Sequence, residues 1–291
     1  MSPLPAAVCY TGFRMDPSED KYRGLRRLPP FPAVATELLR LLSDDDVHVR
    51  QVVELIRADP ALVSEIMRVV NSAIYGFPSR ISSVQNAITL LGLQTVRSFA
   101  LTVSMKGFLH TALRLDLLRR IWRHSLACGM LCEELSTACS AAQAGDDRAY
   151  TAGLLHNVGR LGLFVAHPRA YSDLLSQPGE GDLLAREREA FGIDHCEAGA
   201  WLAHSWGLPE DLEAVIAGHH EPPSSTAFEL ADLVRVAVLL TDALGFDVTP
   251  MSPPLTLADV RAKLPEAAQY RFDPDPEALT ARISDRLNTF D

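Results

Sequence analysis

The 291-residue sequence predicts an all-α protein, a multi-helix bundle, and three observations carry that prediction. Apolar residues recur at helical spacing in segment after segment, no stretch alternates in the manner of a half-buried strand, and Gly and Pro fall between the helical segments. The stretch YTAGLLHNVGRLGLFVAH, residues 150 to 167, is apolar around its whole circumference, so it reads as one central helix with no face for water. It carries a polar pair, His156-Asn157, and a buried polar pair needs hydrogen bonds or a metal.

Taken in order, residues 1 to 26 mix Pro, Gly and charge without periodicity and read as a loosely held tail. PPFPAVATELLRLLSDD starts a helix behind prolines, with Val34, Leu38, Leu41 and Leu42 on one face. VHVRQVVELIRAD and DPALVSEIMRVVNSAIYG give two more, the second with Asp59 as N-cap, Pro60 in its first turn and Gly76 past its end. Ser82 or Ser83 caps AITLLGLQTVRSFALTVSMKGF, which Gly92 divides into two helices. Leu115 to Ser140 forms a long helix, and AQAGDD is the loop before the central one.

Beyond it, Gly179-Glu180-Gly181 separates PRAYSDLLSQ from LLAREREAFG. DHCEAGAWLAHSWG and PEDLEAVIAG follow, divided at Gly207 and Pro209, and then comes AFELADLVRVAVLLTDALG. TLADVRAKLP and DPEALTARISDRLNTF sit behind connectors holding Pro250, Pro253, Pro254, Pro274 and Pro276, which reads as an appendage to the core. The run Ser43 to His48 lacks the spaced ligands of a calcium loop and is taken as a charge cluster at a helix start. Trp122, Trp201 and Trp206 are taken as core filling.

Composition narrows the function. Acidic residues outnumber basic ones 37 to 27, a formal charge of -10, which argues against a sequence-independent grip on nucleic acid. The helix pair around Gly92, with Arg97, is the one nucleic-acid candidate, and plain packing explains it better. The five cysteines, Cys9, Cys128, Cys132, Cys139 and Cys196, form no CxxC pair and suit free thiols in a reducing compartment. With no apolar run of about 18 residues and no leader pattern, a cytoplasmic protein without membrane insertion is expected.

The chemistry-bearing residues are His124, His156, Asn157, His195, His219, His220 and Asp242, drawn from separate helices or helix ends at otherwise apolar places. Imidazoles and a carboxylate converging in that way are what a metal site requires. His110, His167 and His204 are set aside; His167 lies about 16 Å along the helix from His156, too far to share an ion.

WRHSLACGMLCEEL, YTAGLLHNVGRLGLF, HCEAGAWLAHSWGLPEDLEAVIAGHHEPP and LLTDAL occur in the order found in the HD superfamily of metal-dependent phosphohydrolases. With LPPFPAVATELLRLLSDDD, NSAIYG and SVQNAITLLG ahead of them, the chain resembles the HDOD domain, the output-type relative of that superfamily in bacterial signalling proteins. The resemblance implies a tail (1–26), an HDOD domain (27–222) with an N-terminal helical part (27–110) and an HD-like part (111–222), and a C-terminal extension (223–291) that completes or covers the latter. It implies a vestigial metal site at His124, His156, Asn157, His195, His219, His220 and Asp242, with Asn157 standing where the superfamily has a metal-binding aspartate.

An amide gives up the charge that hard cations prefer and that primes a water nucleophile, so no catalytic residue is expected. No cofactor is expected beyond, at most, a single weakly bound divalent ion. Arg160 stands where the cyclic-dinucleotide phosphodiesterases have lysine, and EPPSSTAF replaces their GYP signature. Cyclic dinucleotide or nucleotide binding therefore has no support from the motifs. The expected function is a non-catalytic regulatory module that contacts other signalling proteins; the alternative is a phosphohydrolase with altered ligands.

Overall fold

The computed structural model describes residues 9–10, 13–14, 20–42, 49–109, 115–139, 147–176, 182–222, 228–249 and 255–290. The Ser43 to His48 cluster, His110, the AQAGDD loop as far as Asp146, the Gly179-Glu180-Gly181 break and Pro250, Pro253 and Pro254 lie outside them. The fold is all-α, with one addition inside the expected tail: β1 (Cys9–Tyr10) and β2 (Phe13–Arg14) pair as a two-residue antiparallel hairpin.

The rest of the described tail is also better anchored than its composition suggested. Short 3-10 turns at Asp20–Tyr22 and Leu25–Arg27 bury Tyr22 and Leu25 completely or nearly so. Tyr22 stacks on Trp201 with centroids 5.6 Å apart and donates its hydroxyl to Glu197 Oε1 at 2.7 Å. Mixed composition concealed one aromatic anchor, and that anchor ties the segment to the HD-like half.

The N-terminal half comprises α1 (Ala33–Leu42), α2 (Val49–Arg57), α3 (Pro60–Val70), α4 (Val84–Leu91) and α5 (Leu93–Leu109). Asp59 caps α3 by accepting from the amides of Ala61 and Leu62, and Ser83 caps α4 through the Asn86 amide. Gly92 turns the chain between α4 and α5 at φ 89°, a conformation open to glycine. The third expected helix stops at Val70, short of Gly76, because Asn71 redirects the chain. Its side-chain amide donates to the Met67 and Ile81 carbonyls at 2.8 and 3.0 Å and its Oδ1 accepts from the Ile81 amide at 2.8 Å.

The HD-like half begins with α6 (Asp116–Cys139) and continues through α7 (Asp147–Leu155), α8 (Val158–Ala166), α9 (Pro168–Ser176), α10 (Leu183–Phe191), α11 (His195–Ser205), α12 (Glu210–Gly218) and α13 (Leu230–Ala243). The stretch read as one central helix is two, α7 and α8, and the break falls on His156-Asn157. Asn157 has φ -96° and ψ 11°, and its carbonyl accepts from the Arg160 amide three residues on. Periodicity could not reveal this, because both pieces are apolar all round and the register carries through the turn.

Two glycines let α8 approach α11. A methyl group on Gly159 would overlap the His195 carbonyl oxygen, and one on Gly199 would meet Gly159 backbone atoms at 3.3 to 3.5 Å. Gly153 is equally confined on α7, where a Cβ would lie 2.7 Å from Cys132 Sγ. Cys128, Cys132 and Cys196 are buried free thiols, and Cys139 is a half-buried one.

The last segments, α14 (Leu257–Arg261), α15 (Glu266–Arg271) and α16 (Pro276–Phe290), are part of the core and correct the appendage reading. Leu279, Ile283 and Leu287 are fully buried, and Phe290 reaches Phe99 of α5 edge-on at 5.8 Å. Arg282 and Arg286 pair with Glu134 and Glu133 of α6 at 2.7 and 2.8 Å. Their apolar stripe was visible; the proline connectors made it look detached.

Gly159→Ala is expected to lower stability by about 1–3 kcal/mol through overpacking. Gly107→Ala, on an exposed part of α5 with nothing within 4 Å of a new Cβ, should be neutral or gain up to about 1 kcal/mol from helix propensity. Denaturant midpoints of the two variants provide the check.

Candidate functional site

The break between α7 and α8 delivers His156 and Asn157 to a cavity of about 370 Å³, lined also by His124, His219, His220 and Asp242. His195, at the start of α11, forms the back of the cluster through its contacts with His219 and His220. All seven residues singled out from the sequence thus lie in one place.

Each buried imidazole is oriented by a partner on its outer side. His195 Nδ1 lies 2.6 Å from Glu187 Oε2, His219 Nδ1 lies 2.9 Å from the Ile216 carbonyl, and His156 Nδ1 lies 2.6 Å from the Gly153 carbonyl. A carboxylate or carbonyl can only accept, so Nδ1 carries the proton in all three rings and each Nε2 presents a lone pair inward. His195 Nε2 and His219 Nε2 are 3.3 Å apart, His220 Nε2 is 3.1 Å from His195 Nε2, and His156 Nε2 is buried with no hydrogen-bond partner.

His220 Nε2 can donate to His195, but the lone pairs of His195 and His219, 3.3 Å apart, repel unless a cation lies between them. Two nitrogens on a tetrahedral zinc ion, each about 2.0–2.1 Å from it, stand roughly 3.3 Å apart. The imidazole group therefore fits a single borderline cation. Cys196 Sγ adds a soft donor at the edge of the cluster, 3.8 Å from His219 Nδ1, and the four potential ligand atoms of His195, Cys196, His219 and His220 lie within 4.8 Å of one another.

The other side of the cavity is different. Asn157 Oδ1 accepts from Arg160 Nε at 2.8 Å, so the amide oxygen is committed to a guanidinium. Arg160 is 6% exposed, and its Nη1 has no hydrogen-bond partner. A second metal ion would have to approach that fixed positive charge with a neutral amide in place of a bridging carboxylate. The residues do not fit a two-metal centre.

Burial lowers the pKa of His124, His195 and His219 well below the usual histidine range, and the positive charge of Arg160 adds to the effect at His124 and His195. The same two causes take His220, whose outer face is exposed, to about 4. Asp242 lies 3.4 Å from His124 Nδ1, which also contacts the Phe246 carbonyl at 3.1 Å; burial raises its carboxyl to about 7 against the pull of Arg160. His124, His195, His219 and His220 are thereby held neutral at neutral pH, the state in which imidazole binds metals.

Glu187 is the residue the sequence reading missed. It is fully buried on α10 and accepts from the Tyr171 hydroxyl at 2.8 Å and from the His195 amide at 2.9 Å as well as from the ring. A carboxylate behind a histidine fixes the tautomer and raises its basicity as a ligand. The clue was present, since Glu187 shares a helical stripe with Leu183 and Phe191, where a solvated acid does not belong.

The sequence profile of the HDOD domain matches residues 28–222, two thirds of the chain. The chain belongs to the HDOD family. A protein of Treponema pallidum (strain Nichols), named only as uncharacterized, is 29% identical over 198 residues, 67% of this HDOD chain and 38% of the relative. The chain thus spans well under half the length of that relative. Solved structures share the fold at 21% identity. An HDOD domain protein of unknown function from Geobacter sulfurreducens superposes with a TM-score of 0.67, covering 93% of this chain and 95% of that one. A candidate signal transduction protein from Marinobacter aquaeolei VT8 gives 0.73, covering 97% of this chain and 63% of that one. A candidate phosphohydrolase from Shewanella amazonensis SB2B gives 0.66, covering 94% and 98%. Among the described residues, no helix is long and apolar enough to cross a membrane.

Lowering the pH should destabilise the protein through this cluster. A histidine with a depressed folded-state pKa takes up its proton only on unfolding, so stability is complete above the unfolded value near 6.5 and falls as pH drops towards the folded value. Each buried ring of this kind costs about 1.4 kcal/mol per pH unit in that window. Asp242, raised to about 7, acts with opposite sign, favouring the folded state more as pH falls, and offsets one histidine. Thermal midpoints between pH 7 and pH 5 should therefore fall with a net slope of several protons, and a flat profile would contradict neutral buried rings.

Proposed function

We propose that this HDOD protein is a non-hydrolytic signal-transduction module that works through contacts with other signalling proteins, its HD-type pocket kept as a ligand or single-ion site. The observation that carries the reading is the Asn157 to Arg160 hydrogen bond of 2.8 Å. Where hydrolysis by two ions needs a bridging carboxylate, the pocket has a neutral oxygen tied to a cation, and the group that would prime water is missing.

A single divalent ion, when bound, would be held by His156, His195, His219 and His220, and it would supply rigidity and local positive charge. Glu187 then acts by holding His195 in its ligating tautomer. Asp242 stays against His124 and serves that ring.

The test joins ion uptake to turnover. Equilibrium dialysis of the full chain against zinc or manganese should give no more than one ion per chain, and Glu187→Gln should weaken that uptake about 10- to 100-fold. Asn157→Asp should raise ion uptake. With an activated phosphodiester and either ion, the parent protein should show no hydrolysis above buffer. Two ions per chain together with turnover would replace this reading with that of an enzyme.

A further inference from the structure

Arg160 carries one terminal donor, Nη1, for which the protein supplies no hydrogen-bond acceptor. A guanidinium that is nine-tenths buried and leaves Nη1 without an acceptor is the less stable for it, and an anion that accepts from Nη1 relieves the loss. Its Nε is already used by Asn157, so the side chain is held in place with one terminal donor unspent. It lines the 370 Å³ cavity together with two further cations, Arg235 and Lys263.

We propose that this cavity binds a small phosphate monoester directly on the Arg160 guanidinium, without a metal ion between them. This deepens the proposed reading of the pocket as a ligand site, and it rests on Arg160 as the fixed positive charge there. Planar guanidinium donors match the spacing of phosphate oxygens, which makes Arg the preferred partner for such groups. Two acids share the wall. Glu221 lies beyond His220, and Asp242 is held against His124 at 3.4 Å, turned to that ring. Arg235 is paired with Asp232 and bonded to the Gly218 carbonyl, so Arg160 and Lys263 are the cations that the cavity offers to a ligand.

The size and remaining wall say more about the ligand. A volume of about 370 Å³ exceeds the needs of inorganic phosphate, and Leu183, Val236, Leu239 and Val248 offer an apolar surface. The ligand is therefore a phosphate monoester with a compact apolar or aromatic group.

Isothermal titration of the full chain in EDTA, with inorganic phosphate and with phenyl phosphate, tests this. Both should bind, phenyl phosphate the more tightly. Arg160→Gln should lose about tenfold or more, and Arg160→Lys, which keeps the charge but not the fork, should lose less. Lys263→Glu, an exposed change that leaves the core untouched, should weaken both ligands about threefold, which keeps the test informative if the Arg160 variants fail to fold. No binding in EDTA, binding that appears only with a divalent ion, or affinity unchanged in Lys263→Glu would overturn the proposal. Hydrolysis of phenyl phosphate with added metal would instead sink the non-hydrolytic reading and leave metal-free binding standing.

Discussion

The close crossing of α8 and α11 at Gly159 and Gly199 is the constraint on which the site depends. It brings the carbonyl end of His195 against the first turn of α8, so that the ring of His195 and the His156-Asn157 break face one cavity. Side chains at those two positions would push the helices apart by the width of a methyl group and carry His156 and Asn157, just ahead of α8, away from His195 on α11. Packing in this interior is dense enough that such a shift has no void to absorb it.

Given that crossing, the division of labour within the cavity follows from charge. On one side, imidazoles are held by Glu187, Ile216 and Gly153 with their lone pairs inward, an arrangement for a cation. On the other, Asn157 fixes a guanidinium, an arrangement for an anion. A hydrolytic ancestor would require negative charge where the two sides meet. The Asn157 amide leaves that position neutral, with its oxygen taken up by Arg160.

Much of this was legible in the sequence, for identifiable reasons. Helices with one apolar stripe and clear caps, such as α3 behind Asp59 and α4 behind Ser83, declare themselves locally. The seven site residues stood out because each is polar in an apolar setting. What stayed hidden depends on tertiary contact: the helix break at Asn157, where periodicity continues across the turn, the burial of Glu187 within a charged segment, and the anchoring of Tyr22 by a partner 175 residues away at Glu197. Arg160 was visible as a departure from a motif, but its unpartnered nitrogen exists only in three dimensions.

The two ends of the described chain cross over. Tyr22, ahead of the N-terminal helices, packs on Trp201 of the HD-like half, while Phe290 of α16 packs on Phe99 of the N-terminal half. The halves are thereby laced together by contacts of very large sequence separation, and such contacts close late and slow the search for the native state. Phe99 is covered by a residue of the last helix, so the core of the N-terminal half is closed by the far end of the chain.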